Sequence, residues 1–341
     1  MNPEPATKSR VGARRVAMVA LQLAFLTALV SVIARDFDAA KFTTALKSVG
    51  VLPILACFAV DAGFVGVESF RILVLSRRAY AFWLIVRSRY LSMLMSMVLP
   101  GLAAGDVVRV FLMDRSKPGN KAGILVLLLG NRLYGLLCLV SLGIVALAQP
   151  AGASLLAKAQ GWGPAVVAAG LVALTLPMWT HWTVVRRVCD GSLARLPKLF
   201  AEPATRAFTA LLGMTSLRQW LFAVATSTMT NLLVVTEFWI LSTAAGLNIS
   251  FAEWCLFVPF IAVATVLPLG LGAIGTQEAA LLAVSRLAGI QFEPLLLVSV
   301  AMHVVRLGCS LPGFAFYGDL VKTIQHLRER RQATAKAQGL E

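Results

Sequence analysis

The chain has 341 residues, of which 58% are apolar and only 14% charged, and its net charge is +15. This composition excludes an ordinary soluble domain and a disordered chain, and it leaves room for roughly six to eight membrane segments with short loops. The five cysteines are scattered and contain no C-x-x-C pair, so neither a disulfide framework nor a cysteine metal site is expected.

Six apolar stretches are long enough to cross a membrane. They cover residues 16–34, 51–75, 122–148, 163–183, 217–245 and 293–320. A basic N-terminus at 1–15 precedes a membrane domain at 16–320, and a basic tail at 321–341 follows it. The first stretch could be a signal peptide, but an apolar run of about nineteen residues favours an uncleaved helix.

Lysine and arginine are distributed unevenly between the segments that join these stretches. With the N-terminus in the cytoplasm, 23 of them fall in cytoplasmic segments and five in external ones. The positive-inside rule therefore predicts a multi-pass protein of the inner (plasma) membrane with both termini cytoplasmic. The basic charge sets this orientation and attracts anionic lipid headgroups, so we do not expect nucleic acid as a partner.

Two glycine-rich breaks interrupt the apolar sequence about half a chain apart. They are VLPGLAAGDVVRV at 98–110 and VLPLGLGAIGTQEAAL at 266–281, and they reach a carboxylate at Asp106 and Glu278 respectively. Paired interrupted segments of this kind are typical of the substrate site in transporters built from repeats. With six full spans, the regions near 85–112 and 254–284 would be re-entrant hairpins of opposite orientation.

The fold class predicted from these patterns is all-α integral membrane, with about six full transmembrane helices plus two re-entrant hairpins in an inverted repeat. The alternative is that Pro100 and Pro268 merely kink ordinary helices. Close helix packing is likewise an alternative role for the Gly101-x-x-x-Gly105 pattern.

Ionisable side chains lie deep in several apolar stretches, where each charge costs about 2.5–3.5 kcal/mol to insert. Such groups should face one another, water or a charged substrate. Glu68 and Arg71 are i,i+3 neighbours that can pair, and Asp106 has Arg109 one turn away. The residues predicted to line a substrate pathway are Glu68, Arg71, Asp106, Arg109, Arg132, Glu237, Gly270, Gly272, Glu278, His303 and Arg306.

Several of these residues also have a purely structural interpretation. Glu237 could simply pair with Arg132 or Arg306, and His303 could be a packed, hydrogen-bonded histidine. Asp106 and Glu278 could cap half-helices by accepting backbone N–H bonds.

The chain resembles the flippase-like membrane proteins related to the transmembrane region of lysylphosphatidylglycerol synthase. The resemblance covers roughly residues 15–325 and is carried by Leu99-Pro100-Gly101, Gly105-Asp106, Arg109, Asn131-Arg132, the Glu68…Arg71 pair and Leu267-Pro268…Gly270-Leu271-Gly272…Gly275…Glu278. It implies movement of a phospholipid or polyprenyl-phosphate-linked lipid between leaflets. There are two departures. About twenty polar residues follow the last predicted span, so the soluble synthase domain is not expected, and Thr276-Gln277 precede Glu278 where the family more often has an arginine.

Signals for catalysis are weak. Gly270-Leu-Gly-Ala-Ile-Gly275 matches a dinucleotide-binding pattern but lacks the strand that should precede it. Asp36-x-Asp38 resembles a sugar-nucleotide metal motif but falls in the predicted external loop. We therefore expect no enzyme activity, cofactor or metal. The alternatives are an integral-membrane lipid-linked glycosyl- or headgroup-transferase, or a non-transporting partner of a cell-envelope synthase.

The expected partners are an anionic lipid or lipid-linked substrate, the membrane itself, and either a second copy of the chain or an envelope-synthesis protein. Because no nucleotide site is recognisable in the sequence, transport would be downhill or coupled to an ion gradient or the membrane potential.

The charge distribution makes a prediction about topology. Reporters inserted at positions 118 and 192 should both be cytoplasmic, whereas a reporter at position 156 should be external, as judged by compartment-specific fusion activity. An external reporter at 192 would contradict the six-span arrangement and, with it, the opposite orientation of the two hairpins.

Overall fold

The computed structural model describes residues 22, 24–34, 37–98, 104–147, 149, 217–266, 274–318, 321 and 325. Within these ranges the regular structure is helical, without a β-strand, as the predicted all-α class requires. The helices are α1 (Ala24–Ala34), α2 (Ala39–Ser48), α3 (Val51–Leu75), α4 (Phe82–Val98), α5 (Ala104–Ser116), α6 (Lys121–Leu147), α7 (Leu217–Ala244), α8 (Phe251–Val266), α9 (Thr276–Ala288), α10 (Phe292–Ser310) and α11 (Pro312–Ala315).

Four helical segments in the described ranges are long and apolar enough to cross a membrane. They correspond to α3, α6, α7 and the combined α10 and α11, with α7 counted from Arg218. These four agree closely with predicted spans, although the last one ends at Ala315 rather than at residue 320. The predicted span at 16–34 appears as the shorter apolar helix α1, and the predicted span at 163–183 lies outside the described residues.

Each glycine-rich break separates two shorter helices that pack against one another. The first pair, α4 and α5, has 17 and 13 residues, and the second pair, α8 and α9, has 16 and 13. The breaks themselves, at 99–103 and 267–273, lie outside the described residues. Both pairs extend three or four residues beyond the predicted bounds at each end, to 82–116 and 251–288.

Two groups of four helices follow the same order of long, short, short and long. We match α3 with α7, α4 with α8, α5 with α9, and α6 with α10. Under this matching the contacts within the first group recur within the second. The contacts between groups also correspond, because α6 packs on α8 as α10 packs on α4, and α6 packs on α7 as α10 packs on α3.

The central pair, α3 and α7, crosses in antiparallel directions. Near the start of α3, Cys57 Sγ lies 3.8 Å from the backbone oxygen of Glu237 near the end of α7. Near the end of α3, Arg71 Nη1 donates to Ser227 Oγ in the first half of α7 at 2.5 Å. The two matched helices therefore run in opposite directions through the centre of the molecule.

The largest apolar core joins α7, α8 and α10. Trp254 is fully buried, stacks on Phe238 with ring centroids 5.1 Å apart, and donates from Nε1 to Ser242 Oγ at 2.8 Å. Because the indole N–H is satisfied inside the core, the ring contributes its apolar area without an unpartnered donor. Many large apolar side chains of the long helices remain exposed, as expected for surfaces that face lipid.

The start of α2 accounts for one residue of the weak Asp36-x-Asp38 motif. Asp38 is the N-cap, and its Oδ1 accepts from the backbone N–H groups of Ala40 and Lys41 at 3.0 and 3.2 Å. The Lys41 backbone hydrogen bond is the main cause that lowers the pKa of Asp38 below its ordinary value. Asp36 lies outside the described residues, so for Asp38 the structure indicates capping.

The contact between α4 and α5 requires a glycine at position 105. A Cβ at Gly105 would collide with both Ser92 and Ser96, and it would lie 2.6 Å from the backbone oxygen of Ser92, which cannot rotate away. Close approach of two helices through a small residue is typical of membrane proteins. The predicted close packing of the Gly101-x-x-x-Gly105 pattern is therefore observed at its second glycine.

We expect Gly105→Ala to lower the free energy of unfolding by about 1–3 kcal/mol, because the helices must separate. The measurement is the thermal midpoint of the purified protein in detergent. Gly66→Ala in α3 is the matched control, since a Cβ there meets nothing within 4 Å, and its midpoint should stay the same or rise. Equal midpoints for the two variants would contradict the close contact.

Candidate functional site

A buried group of polar side chains lies where α3, α4, α5 and α6 meet. At its centre is Glu68, which is 3% exposed. Its Oε2 lies 2.9 Å from Arg89 Nε, and its Oε1 accepts from Arg109 Nη1 and Asn131 Nδ2, each at 3.1 Å. We call this group, together with Arg71, the Glu68 cluster.

Arg71 connects the Glu68 cluster to α7. Its Nε donates to Asn131 Oδ1 at 2.7 Å, and its Nη1 donates to Ser227 Oγ at 2.5 Å and to Thr230 Oγ1 at 3.4 Å. The structure thus pairs Glu68 with arginines of α4 and α5 rather than with Arg71. The i,i+3 neighbours diverge because Glu68 faces α4 and α5 while Arg71 turns towards α6 and α7.

Asp106 is paired with a different arginine from the one predicted. Arg132 Nε lies 2.6 Å from Asp106 Oδ2, whereas the nearer residue in sequence, Arg109, is directed to Glu68. The Arg132 side chain is 47% exposed and that of Asp106 is 10% exposed. Arg132 is therefore less enclosed than its depth in the apolar stretch had suggested, because it projects from α6 past the first turn of α5.

The guanidinium of Arg109 is almost completely enclosed, with 2% of the residue exposed. One nitrogen, Nη1, bonds to Glu68, but Nε and Nη2 have no hydrogen-bond partner among the described residues. Buried donors without partners are rare in native structures, because each retains its desolvation penalty. The Glu68 cluster therefore has unused capacity to bind an anion or ordered water.

A second buried group lies where α9 packs on α10. Glu278 Oε2 accepts from the backbone N–H of Gly275 at 2.6 Å, and Oε1 lies 2.6 Å from Ser299 Oγ and 2.8 Å from His303 Nε2. Gly275 has φ of 93°, a left-handed conformation that favours glycine. Glu278 therefore caps its own helix, and it also binds two side chains of α10.

The second group extends from Glu278 to an arginine. Gln277 Nε2 donates to Ser299 Oγ, and Arg306 Nη1 donates to Gln277 Oε1, both at 2.8 Å. The glutamine that departs from the expected family pattern thus holds a cation supplied by α10. We call Gln277, Glu278, Ser299, His303 and Arg306 the Glu278 cluster.

Two further carboxylates, those of Glu237 and Asp61, lie near the Glu278 cluster. Glu237 of α7 is 5% exposed, and the charged groups that act on it are Asp61 of α3 and Arg306. Of its two predicted partners, the structure therefore places Arg306 nearby, while Arg132 pairs with Asp106. Across the described ranges no three His, Cys, Asp or Glu side chains are grouped so as to hold a metal ion.

The two halves of the molecule place their acid–base pairs in equivalent positions. Asp106 is the third residue of α5 and Glu278 the third residue of α9. Their partners Arg132 and His303 are each the twelfth residue of α6 and α10 respectively. The matching of helices by order and contact thus extends to individual functional side chains.

The charge balance of the two regions is opposite. The Glu68 cluster contains three arginines around one carboxylate, whereas the Glu278 cluster and its neighbours contain three carboxylates around Arg306 and His303. Arg71 is the twenty-first residue of α3, and Glu237 is the twenty-first residue of the matched helix α7. The same position therefore carries opposite charges in the two halves. Because α3 and α7 are antiparallel, these two residues lie towards opposite ends of the central crossing.

Nine of the eleven residues predicted for the pathway lie within the described ranges, and Gly270 and Gly272 lie outside them. The sequence-based list missed Arg89, Gln277 and Ser299. Arg89 lies within the predicted hairpin region at 85–112, and its position in a largely apolar helix was a usable signal. Ser299 gave no signal, because a serine in a membrane helix commonly bonds only to its own backbone.

We expect Glu68→Gln to lower the free energy of unfolding by about 3 kcal/mol, because two arginines would lose their buried counter-charge. The thermal midpoint in detergent measures this effect. Asp38→Asn is the control, since asparagine is also a good N-cap and the Asp38 side chain is 42% exposed, so its midpoint should hardly change. A midpoint for Glu68→Gln equal to that of the control would show that the cluster does not depend on this carboxylate.

Comparison with known proteins places this geometry in a family. The family model described as the lysylphosphatidylglycerol synthase TM region matches residues 19–313, a range that includes both charged clusters. Searches of curated proteins and of solved structures gave no significant match. The chain is therefore a multi-pass membrane protein that belongs to the family of the lysylphosphatidylglycerol synthase transmembrane region.

Proposed function

We propose that this protein is a flippase that moves a phosphate-bearing lipid, either a phospholipid or a polyprenyl-phosphate-linked lipid, between membrane leaflets. In this proposal it is a transporter and performs no covalent chemistry. The observation that carries it is Arg109, a buried arginine with two unpartnered donor nitrogens.

A buried cation with unused donors is suited to an anionic headgroup. The guanidinium fork matches two oxygens of a phosphate, and hydrogen bonds between charged groups are stronger than neutral ones. Arg109 lies in the Glu68 cluster, where positive charges outnumber negative ones. Half-exposed Arg132 lies nearby on α6 and would guide the headgroup towards Arg109.

The second part of the proposal concerns topology. We infer that the two groups of four helices form an inverted repeat and that α4–α5 and α8–α9 are re-entrant hairpins. The 13 residues of α5 and α9 give a length of about 20 Å, which is less than the roughly 30 Å hydrocarbon core. The antiparallel crossing of α3 and α7 supports the inversion, and the excess of basic residues supports an inner membrane location with cytoplasmic termini.

The two clusters suggest a path for the headgroup. The Glu68 cluster lies in the half of α3 nearer the cytoplasm, and the carboxylate-rich Glu278 region lies towards its opposite end. A phosphate would be held by the arginines and repelled by the carboxylates, while the lipid tails remain in the bilayer. Movement past the Glu278 region would then require its negative charge to be neutralised.

The matched pairs Asp106–Arg132 and Glu278–His303 differ in their basic residue. This difference could couple transport to the movement of a proton. An arginine stays charged in proteins, whereas the imidazole of a histidine can exchange a proton near neutral pH. We therefore propose that the Glu278–His303 pair exchanges a proton during transport and that the Asp106–Arg132 pair stays charged. This assigns coupling to Glu278 rather than to Asp106.

We expect Arg109→Gln to reduce transport about tenfold or more, because a charged hydrogen bond to the headgroup is lost. Purified protein in liposomes that contain a fluorescent phosphatidylglycerol, with a membrane-impermeant quencher outside, measures the transfer between leaflets. Lys117→Gln, an exposed change in the loop after α5, should transport at the rate of the unmodified protein.

The double variant Glu68→Gln/Arg109→Gln separates two roles of Arg109. If Arg109 only neutralises Glu68, removal of both charges should restore transport. If Arg109 binds the headgroup, the double variant should remain slow although it inserts and keeps its thermal midpoint better than Glu68→Gln alone. Restored transport in the double variant would contradict the proposed substrate role.

A further inference from the structure

A surface cavity of about 530 Å³ lies where the end of α3 approaches the start of α7. It is separate from both charged clusters. The described residues that line it are Val74, Arg77, Arg78, Arg218, Gln219 and Phe222. Three arginines among the lining residues give a concentrated positive charge, which favours an anionic ligand.

Among the described residues, nothing pairs with the three arginines. All are exposed, and none forms an ion pair with a carboxylate of the described residues. Structural arginines at a helix end would instead be expected to bond to a neighbouring carboxylate or to a helix carbonyl. Their guanidinium groups are therefore available to a ligand.

The backbone that carries two of these arginines is strained. Arg77 and Arg78 have φ of 52° and 56°, which is the left-handed region that favours glycine. Hydrogen bonds from their N–H groups to Val74 and Leu73 close the end of α3 in this conformation. Glycine would fit such a turn with less strain, so a requirement for the side chains would explain why arginine stands at both positions.

The inner wall of the cavity is apolar and continues onto the lipid-facing surface. Phe222 packs edge-on against Phe70, with ring centroids 5.6 Å apart, and Phe70 is 46% exposed. A ligand in the cavity would thus meet cations at one end and an apolar surface at the other. This combination fits the junction between the headgroup and the acyl chains of a lipid better than it fits a free ion.

The cavity also lies in line with the Glu68 cluster. Val74 of its wall is one turn from Arg71 on α3, and Phe222 is a little more than one turn from Ser227 on α7. Arg71 and Ser227 bond to one another across the same pair of helices. The distribution of basic residues predicts that this end of α3 lies on the cytoplasmic side.

We propose that this cavity is a binding site for the phosphate-bearing headgroup of an anionic phospholipid of the cytoplasmic leaflet. The site deepens the proposed function, since it would collect the lipid at the cytoplasmic end of the α3–α7 pair. Binding can be measured without transport, so this proposal and the proposed function can fail separately.

The first experiment measures binding of short-chain phosphatidylglycerol to the full-length protein in a neutral detergent. Replacement of Arg77, Arg78 and Arg218 by glutamine should weaken binding by roughly 10- to 100-fold. The matched control replaces Arg87, Arg115 and Lys117, which lie on the same side but outside the cavity. The control should bind as the unmodified protein does, and an equal loss in both triple variants would overturn the site in favour of diffuse attraction.

Two further measurements identify the ligand and guard against misfolding. Inorganic phosphate should compete poorly with the lipid, and displacement at equal concentrations would overturn the assignment to a lipid. The variant Arg77→Gly/Arg78→Gly should bind more weakly yet have a raised thermal midpoint, because it relieves the strained turn. A raised midpoint with unchanged binding would show that these two arginines do not contact the lipid.

Discussion

The fold is organised around the requirement that a charge within a membrane be paired. Glu68 satisfies this requirement by binding arginines from α4 and α5 and an asparagine from α6, while Arg71 extends the network to α7. One carboxylate thereby fixes the relative positions of most helices in the first half. Its removal would leave buried cations, which is far more costly than removal of an exposed surface pair.

The second half of the molecule also pairs its buried charges, but there carboxylates predominate rather than arginines. Glu278 and His303 occupy the positions that Asp106 and Arg132 occupy in the first half. The same order of helices with different side chains gives one region rich in cations and another rich in carboxylates. A phosphate-bearing lipid would interact differently with the two regions, and this asymmetry is what our proposal for transport uses.

Much of the fold follows from the length and composition of the apolar stretches. Four long helices and two pairs of short helices appear where hydropathy and the proline–glycine breaks predicted them, because in lipid the backbone must satisfy its own hydrogen bonds. The bounds of the short helices were less accurate. For example, α5 continues to Ser116 and includes Arg115, although the predicted hairpin ends near 112.

The sequence by itself determined which parts of the chain are helical in the membrane and which residues carry rare buried charges. Only the tertiary structure decided how those charges pair. Sequence spacing favours partners on the same helix, such as Glu68 with Arg71, yet the partners observed are Arg109 and Asn131, 41 and 63 residues away. The physical reason is that a helix presents its i,i+3 neighbours to different adjacent helices, so packing rather than proximity in sequence selects the partner.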